Sequence, residues 1–147
     1  MTGVEFSMSC ADVDWPALKA ALVADDFDNG RTPQQYRSSH LNSHAVVFGL
    51  LDGQYVANGR ILSDGVCNAY LVDIWTASGH RRRGIAGEVV RLLTATVPGQ
   101  HVGLFTDDMQ PFYASLGFRE RPTFMDAVAG RWLDPSSEPS LLGRDGG

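Results

Sequence analysis

The residues best placed to do chemistry lie in one stretch, Asp73-Ile74-Trp75-Thr76-Ala77-Ser78-Gly79-His80-Arg81-Arg82-Arg83-Gly84-Ile85-Ala86. It carries a carboxylate near its start, then three arginines and a glycine where a strand gives way to a helix. The first turn of a helix leaves backbone N–H groups without an intrahelical partner. The helix dipole adds partial positive charge at the same place. A turn of this kind holds an anion, most often a phosphate. Arg81, Arg82 and Arg83 add charge, and Gly84 lets backbone approach an oxygen where a Cβ would intervene. No Gly-x-Gly-x-x-Gly follows a strand and no Gly-Lys-Ser/Thr occurs, so neither a dinucleotide fold nor a P-loop is indicated.

Asp73 is the only carboxylate on the strand before this turn. Strict alternation points it to the face opposite Val72 and Ile74. A general base, a substrate anchor and a structural cap for a nearby backbone group all fit it. Asp25-Asp26-Phe27-Asp28-Asn29-Gly30 places three carboxylates and an aromatic in one loop. It reads either as a solvated turn or as a place for a cationic amine.

The surrounding elements must position these groups. Val4 to Met8 alternates enough for a short strand. Asp14 can cap a helix that begins at Trp15-Pro16, where Trp15, Leu18, Ala21 and Leu22 recur at helical spacing. Thr32-Pro33-Gln34-Gln35 has the cap, the first-turn proline and the later glutamine that open a second helix, ending near Leu41. Ala45 to Leu51 reads as a buried strand. An Asp52-Gly53 turn leads to its return strand, Gln54 to Leu62, with Gly59 marking a bulge. Past Ser63-Asp64-Gly65 the next strand runs from Val66 to Thr76.

After the basic turn, Ile85, Val89, Leu92, Leu93 and Thr96 share one helical face, with Glu88 and Arg91 opposite. Val97-Pro98-Gly99 stops this helix. Val102 to Phe105 is a short strand, which the crossover rule makes parallel to the one ending at Thr76. A short helix from Met109 to Ser115 precedes a last strand pair, Phe118 to Arg121 and Thr123 to Val128. One domain over 1–133 accounts for these elements. The tail 134–147, rich in Pro, Ser and Gly, is expected to be flexible.

At 147 residues the chain is most simply a single domain, and 44% hydrophobic residues is ordinary for a globular core. Met1 to Cys10 lacks a secretory pattern and no apolar run reaches membrane-spanning length, so a cytoplasmic location and no membrane partner are expected. Cys10 and Cys67 are too few and too scattered for a disulfide framework or a zinc site, and no metal is expected. The net charge of −5, from 17 acidic and 12 basic side chains, argues against nucleic acid as a partner. Three of the 12 basic residues share one turn, which points to a small anionic ligand.

Two segments together resemble the GNAT superfamily of acyl-CoA-dependent N-acyltransferases. Arg81, Gly84 and Ala86 meet its Arg/Gln-x-x-Gly-x-Gly/Ala pattern. Phe112-Tyr113-Ala114-Ser115-Leu116-Gly117-Phe118 is similar to its Tyr-x-x-Leu-Gly-Phe signature. The resemblance covers residues 45–128, and the earlier helices fit by order. It implies an α+β, GNAT-like fold: a mixed, mostly antiparallel central sheet with a splayed parallel strand pair and flanking helices.

The resemblance also implies acetyl-CoA as acyl donor. The pantetheine arm would run along Ile74, Trp75 and Thr76. The pyrophosphate would sit on the turn built by Arg81, Arg82, Arg83 and Gly84, and on the amides of Ile85, Ala86 and Gly87. Phe112 would lie beside the cofactor, and Tyr113 would give a proton to the departing thiolate. In this scheme the amine attacks directly, without a covalent enzyme intermediate. Proximity and strand N–H groups aimed at the thioester oxygen supply most of the rate. Because the early helices and their loop shape the acceptor site in the family, Phe27, Asp28 and Tyr36 are substrate-binding candidates by location.

The chain departs from the family in two places. The acidic base falls at Tyr70 or Val72, neither of which is a carboxylate. Asp107 and Asp108 stand where an asparagine often touches the cofactor. His44 and His80 are alternative bases without motif support. The leading expectation is an N-acetyltransferase acting on a small-molecule amine. A peptide N-terminus or lysine is an alternative acceptor. A non-catalytic acyl-CoA-binding or sensing domain is the second reading, and an interaction domain without a ligand is the third. Dimers are common in the family, so a homodimer is among the states allowed.

Overall fold

The computed structural model describes residues 3–139. Between Asp107 and Asp108 the chain divides into two compact units. The first unit contains β1 (Glu5–Ser7), α1 (Trp15–Ala24), α2 (Pro33–Leu41), β2 (Ala45–Leu51), β3 (Gln54–Ser63), β4 (Asn68–Thr76), α3 (Ile85–Thr94) and β5 (His101–Leu104). The second contains α4 (Gln110–Ser115) and the turns after it.

The five strands form one sheet in the order β1-β2-β3-β4-β5. The first three neighbouring pairs are antiparallel, and β4 pairs with β5 in parallel. This is the mixed α+β sheet that the sequence predicts. The parallel pair follows from the intervening α3, which carries the chain back to start a second strand in the same direction.

Local chemistry sets the helix starts. The Asp14 carboxylate accepts from the Ala17 N–H at 3.0 Å. Thr32 and Gln35 form a reciprocal capping box, with bonds of 3.1 and 2.9 Å between each side chain and the other's N–H. The strand expected from Val66 begins two residues later, at Asn68. The cause is Asp64, whose Oδ1 accepts the amides of Val66, Cys67 and Asn68 at 2.8, 2.8 and 3.1 Å, holding them in a turn.

Both faces of the central strands are covered, which is why β2 reads as continuous apolar sequence. On one face Trp15, Leu18, Leu22 and Tyr36 of α1 and α2 pack on Val46, Phe48 and Trp75. On the other, α3 buries Ile85, Val89, Val90 and Leu93. Val90 is buried where the pattern named Leu92 and Thr96, and those two are half-buried. Gly59 is where α3 comes nearest the sheet. A Cβ there would lie 2.7 Å from Val89 Cγ1 and 2.8 Å from Ile74 Cδ1. Any side chain at this position would push helix and sheet apart.

The strand pair expected at 118–121 and 123–128 is not formed. Among the described residues beyond Phe118 only a single bridge occurs, Arg131 to Asp134. Residues 119–129 are exposed throughout. Arg119-Glu120-Arg121-Pro122 offers three charges and a residue without an N–H, so no ladder or buried face is available there. Of the tail expected to be flexible, residues 134–137 form a turn closed by Ser137 N–H to Asp134 O at 3.1 Å. Residues 140–147 lie outside the described residues.

Candidate active site

The candidate site of the first unit starts from an irregularity in β4. Its antiparallel register with β3 shifts between Asn58 and Arg60: Val72 pairs with Arg60, Trp75 with Asn58, and Asp73 and Ile74 share the space opposite Gly59. This is a β-bulge, and it places Asp73 at φ 58, in the left-handed region. The bulge interrupts the strict alternation expected from sequence, while Asp73 and Ile74 keep the opposite faces that alternation gives them. Asp73 turns toward the α1–α2 side, where Arg31 Nη2 donates to its Oδ1 at 2.8 Å and Arg60 Nε to its Oδ2 at 2.6 Å. Ile74 turns to the α3 side, beside Gly59.

Both Asp73 oxygens are therefore held by guanidinium groups. Burial raises the Asp73 pKa, but Arg31 and Arg60 lower it by more, leaving the carboxyl below its ordinary value. An oxygen already shared with an arginine accepts another proton poorly. Sequence reading missed Arg31 and Arg60. The available signal was Arg60 itself, the one charge inside the run Val56 to Leu62, whose other polar side chain is Asn58. Arg31 carried no such signal.

Next to the bulge, β4 outruns its parallel neighbour. The β4–β5 ladder runs from Asn68 with His101 to Leu71 with Leu104, while β4 continues to Thr76. Trp75 pairs with Asn58, and the Ala77 N–H donates to Val56 O at 2.8 Å. Antiparallel bonds alternate along a strand, so Thr76 between them turns its own N–H and C=O away from β3. That edge of β4 has no strand partner past Leu71 among the described residues. The Thr76 side chain is buried, and its Oγ1 has no hydrogen-bond partner. Trp75 offers only backbone, because its ring is buried and its Nε1 donates to Asp25 Oδ2 at 2.9 Å.

Beyond Thr76 a short 3-10 turn, Ser78–His80, leads to the three arginines. Arg82 and Gly84 adopt φ of 63 and 77. Left-handed residues in such a turn make successive N–H groups converge, as in anion-binding nests. Gly84 is the N-cap of α3 and provides no capping side chain. The first helical bond is Glu88 N–H to Gly84 O, which leaves the amides of Ile85, Ala86 and Gly87 to point outward. A Cβ at Gly84 or Gly87 would meet nothing within 4 Å, so the space above this helix end is open. Arg81, Arg82 and Arg83 are exposed and form no ion pair among the described residues. Arg81 Nε reaches Thr76 O at 3.5 Å. His80 Nδ1 is buried and unpartnered like Thr76 Oγ1. Open space, outward amides, unpaired arginines and two orphaned polar atoms together fit a diphosphate-bearing ligand lying against β4.

The acceptor-side candidates fare differently. Phe27 is exposed on the α1–α2 loop. Asp28 is exposed, with its carboxylate bonded to Lys19 Nζ and, at 3.0 Å, to the Gly30 N–H. Tyr36 is a core residue, 2% exposed, which corrects its assignment to a ligand surface. Its hydroxyl donates to Asn58 Oδ1 at 2.7 Å and the Arg31 guanidinium covers its ring at 4.2 Å.

In the second unit, α4 carries Phe112 and Tyr113. The Tyr113 ring meets Phe112 and Phe118 edge-on, with centroids 4.9 and 5.8 Å apart. Its carbonyl accepts the N–H groups of Leu116 and Phe118 at 3.0 and 3.1 Å, which closes the Leu-Gly-Phe turn. Burial pushes the Tyr113 phenol up to about 12.

The site thus joins a parallel strand pair whose ladder ends at Leu71 to the uncapped start of α3. The sequence profile of the GNAT acetyltransferase family matches residues 10–118, and the chain belongs to this family. Solved structures agree. A protein of the GNAT family from Xanthomonas campestris pv. campestris is 25% identical, with a TM-score of 0.72 over 85% of this chain and 92% of that one. A GNAT family protein from Streptococcus pneumoniae TIGR4 shares the fold at 18% identity and TM-score 0.68, covering 90% and 98%. Glucosamine-6-phosphate N-acetyltransferase from Arabidopsis thaliana shares it at 14% identity and TM-score 0.63, covering 89% and 99%. No curated protein matches the sequence as a relative. No helix among the described residues is long and apolar enough to cross a membrane.

Proposed function

We propose that the protein transfers the acetyl group of acetyl-CoA to the amine of a small molecule by direct attack in a ternary complex. The observation that carries this reading is the open helix end at Gly84 beside a length of β4 without a strand partner. The amides of Ile85, Ala86 and Gly87 would hold the diphosphate, with Arg82 and Arg83 adding charge. The outward main chain of Thr76, with that of Ile74, would hold and polarise the acyl end of the donor. Acetyl-CoA supplies the activated acyl group, and the chain supplies binding, orientation and polarisation.

Tyr113 is the proposed acid. Its raised pKa, about 12, keeps the proton on the phenol throughout the working pH range. The acid form is the one below the pKa, so activity dependent on it is lost only as the pH climbs toward that value. Tyr113→Phe is expected to lower kcat about 100-fold with little change in acetyl-CoA affinity. The attacking amine's own proton is assigned to no side chain, since both oxygens of the β4 carboxylate are engaged. That engagement also favours a second reading, an acyl-CoA-binding sensor without turnover.

Calorimetry with acetyl-CoA tests the shared part: micromolar binding is expected, and absence of binding would overturn both readings. A thiol-release assay across amine classes then separates them. Release with a small amine supports the transferase, and binding without release from any amine supports the sensor.

A further inference from the structure

We propose that Asp73 is a positioning residue, which holds β4 in its bulge and ties the loop between α1 and α2 to the same point. The inference rests on the acyl-CoA reading of the splayed strand. Three observations lead to it.

The first is place. The β4–β5 ladder ends at Leu71, and the bulge begins two residues later. The bulge changes which way the following residues face, and so sets the direction of the Thr76 main chain.

The second is conformation. Asp73 sits at φ 58, a left-handed backbone that aspartate tolerates but that a regular strand interior does not use. Here the holding contacts are two short, charge-assisted bonds to a carboxylate whose side chain is 10% exposed.

The third is what the two arginines are attached to. Arg60 lies on β3 across the bulge, two residues from Asn58. Arg31 immediately precedes the Thr32 cap of α2, with its Nε bonded to Asn29 Oδ1 at 2.9 Å and its guanidinium over the Tyr36 ring. Asp73 thus joins β3, β4 and the α1–α2 loop at one point. The loop is fastened at its other end as well, where Asp25 bonds Trp75 Nε1 and the Ser78 N–H. The loop on the acceptor side and the strand on the donor side are therefore held as one body.

The titratable groups around Asp73 are Arg31, Arg60, Tyr36 and His40. Two guanidinium groups face one carboxylate, so removing the carboxylate leaves like charges together. Asp73→Asn keeps the shape and tolerates a left-handed backbone, but cannot satisfy both arginines. Arg60→Lys keeps the charge and loses the planar fork, and it is the second variant should the first fail to fold.

The test compares acetyl-CoA calorimetry and steady-state rates of these variants with the wild-type chain, using circular dichroism to establish folding. Expected are an acetyl-CoA Kd raised about tenfold and a kcat lowered by up to about 100-fold, as misplacement near an angstrom produces. The acidic limb of the pH profile should keep its midpoint. A folded variant with Kd and kcat within twofold of wild type would overturn the inference alone. So would loss of the acidic limb at unchanged Kd, which would make Asp73 the base. Wild-type protein that fails to bind acetyl-CoA would overturn the inference together with the function it rests on.

Discussion

Two charged loops lie close together in the fold of the first unit and use their charge in opposite ways. The acidic one, Asp25 to Gly30, engages two of its three carboxylates internally, and the third, Asp26, is exposed. Asp25 accepts from Trp75 Nε1 and from the Ser78 N–H, and Asp28 accepts from Lys19 and the Gly30 N–H. The basic one, Arg81 to Gly84, leaves its arginines without ion pairs among the described residues and its helix-end amides without caps. A loop whose charges are satisfied inside the chain acts as structure. A loop whose charges and amides stay unsatisfied has a free energy of interaction left for a ligand. Composition alone makes the two loops equivalent candidates, and only their partners separate them.

The comparison can be broken in a definite order. The largest effect is expected from Gly84→Val. It puts a β-branched side chain at φ 77 and fills the space above the helix end. Losing one or two charge-assisted amide bonds corresponds to roughly 100-fold weaker acetyl-CoA binding, read by calorimetry, with the fold retained by circular dichroism. Unchanged affinity would remove the turn from the site.

Next comes Arg82→Glu with Arg83→Glu. Affinity should fall about tenfold at low salt, and the difference should shrink as salt rises, because exposed charges are screened. The melting temperature should scarcely move.

Asp25→Asn is the converse. Burial raises the Asp25 pKa, and the bonds from Ser78 and Trp75 lower it by more, so the folded carboxyl titrates below its ordinary range. In the acid range the unfolded chain binds the extra proton. The stabilisation is therefore full above about pH 4 and lost as the pH falls below it. Denaturant titrations should find the variant less stable by about 1–2 kcal/mol at pH 7, with a smaller gap at pH 3. If Asp25→Asn mainly lost affinity and the arginine pair mainly lost stability, the contrast between the loops would be wrong.

The smallest effect is expected from Thr76→Val. Removing a buried hydroxyl that has no partner should raise the stability of the ligand-free protein by up to about 1 kcal/mol. A loss of stability instead would reveal a partner for Oγ1.

Much of the fold was legible because it is written in short-range patterns. The Asp14 and Thr32 caps, the Asp52-Gly53 turn and the Ile85-Val89-Leu93 stripe depend on neighbours a few residues away, and all are present; the irregularity expected at Gly59 lies opposite it, with the extra residue on β4. The basic turn was legible for the same reason, since strand, turn, glycine and helix follow in sequence. The second strand pair is absent because the β-like residues Thr123 to Val128 have no face to bury. Tyr36 was placed by analogy of position, and its hydroxyl proved to belong to a buried network with Asn58.

The sequence by itself determined the order of elements, the parallel return of β5 and the uncapped helix start behind three arginines at Gly84, because each is set by propensity, periodicity and backbone geometry within one stretch of chain. The tertiary structure alone decided what each charge does. Asp73 meets Arg31 and Arg60 across 42 and 13 residues of sequence, and Asp25 meets Trp75 across 50. Partners that far apart are chosen by strand register and helix packing.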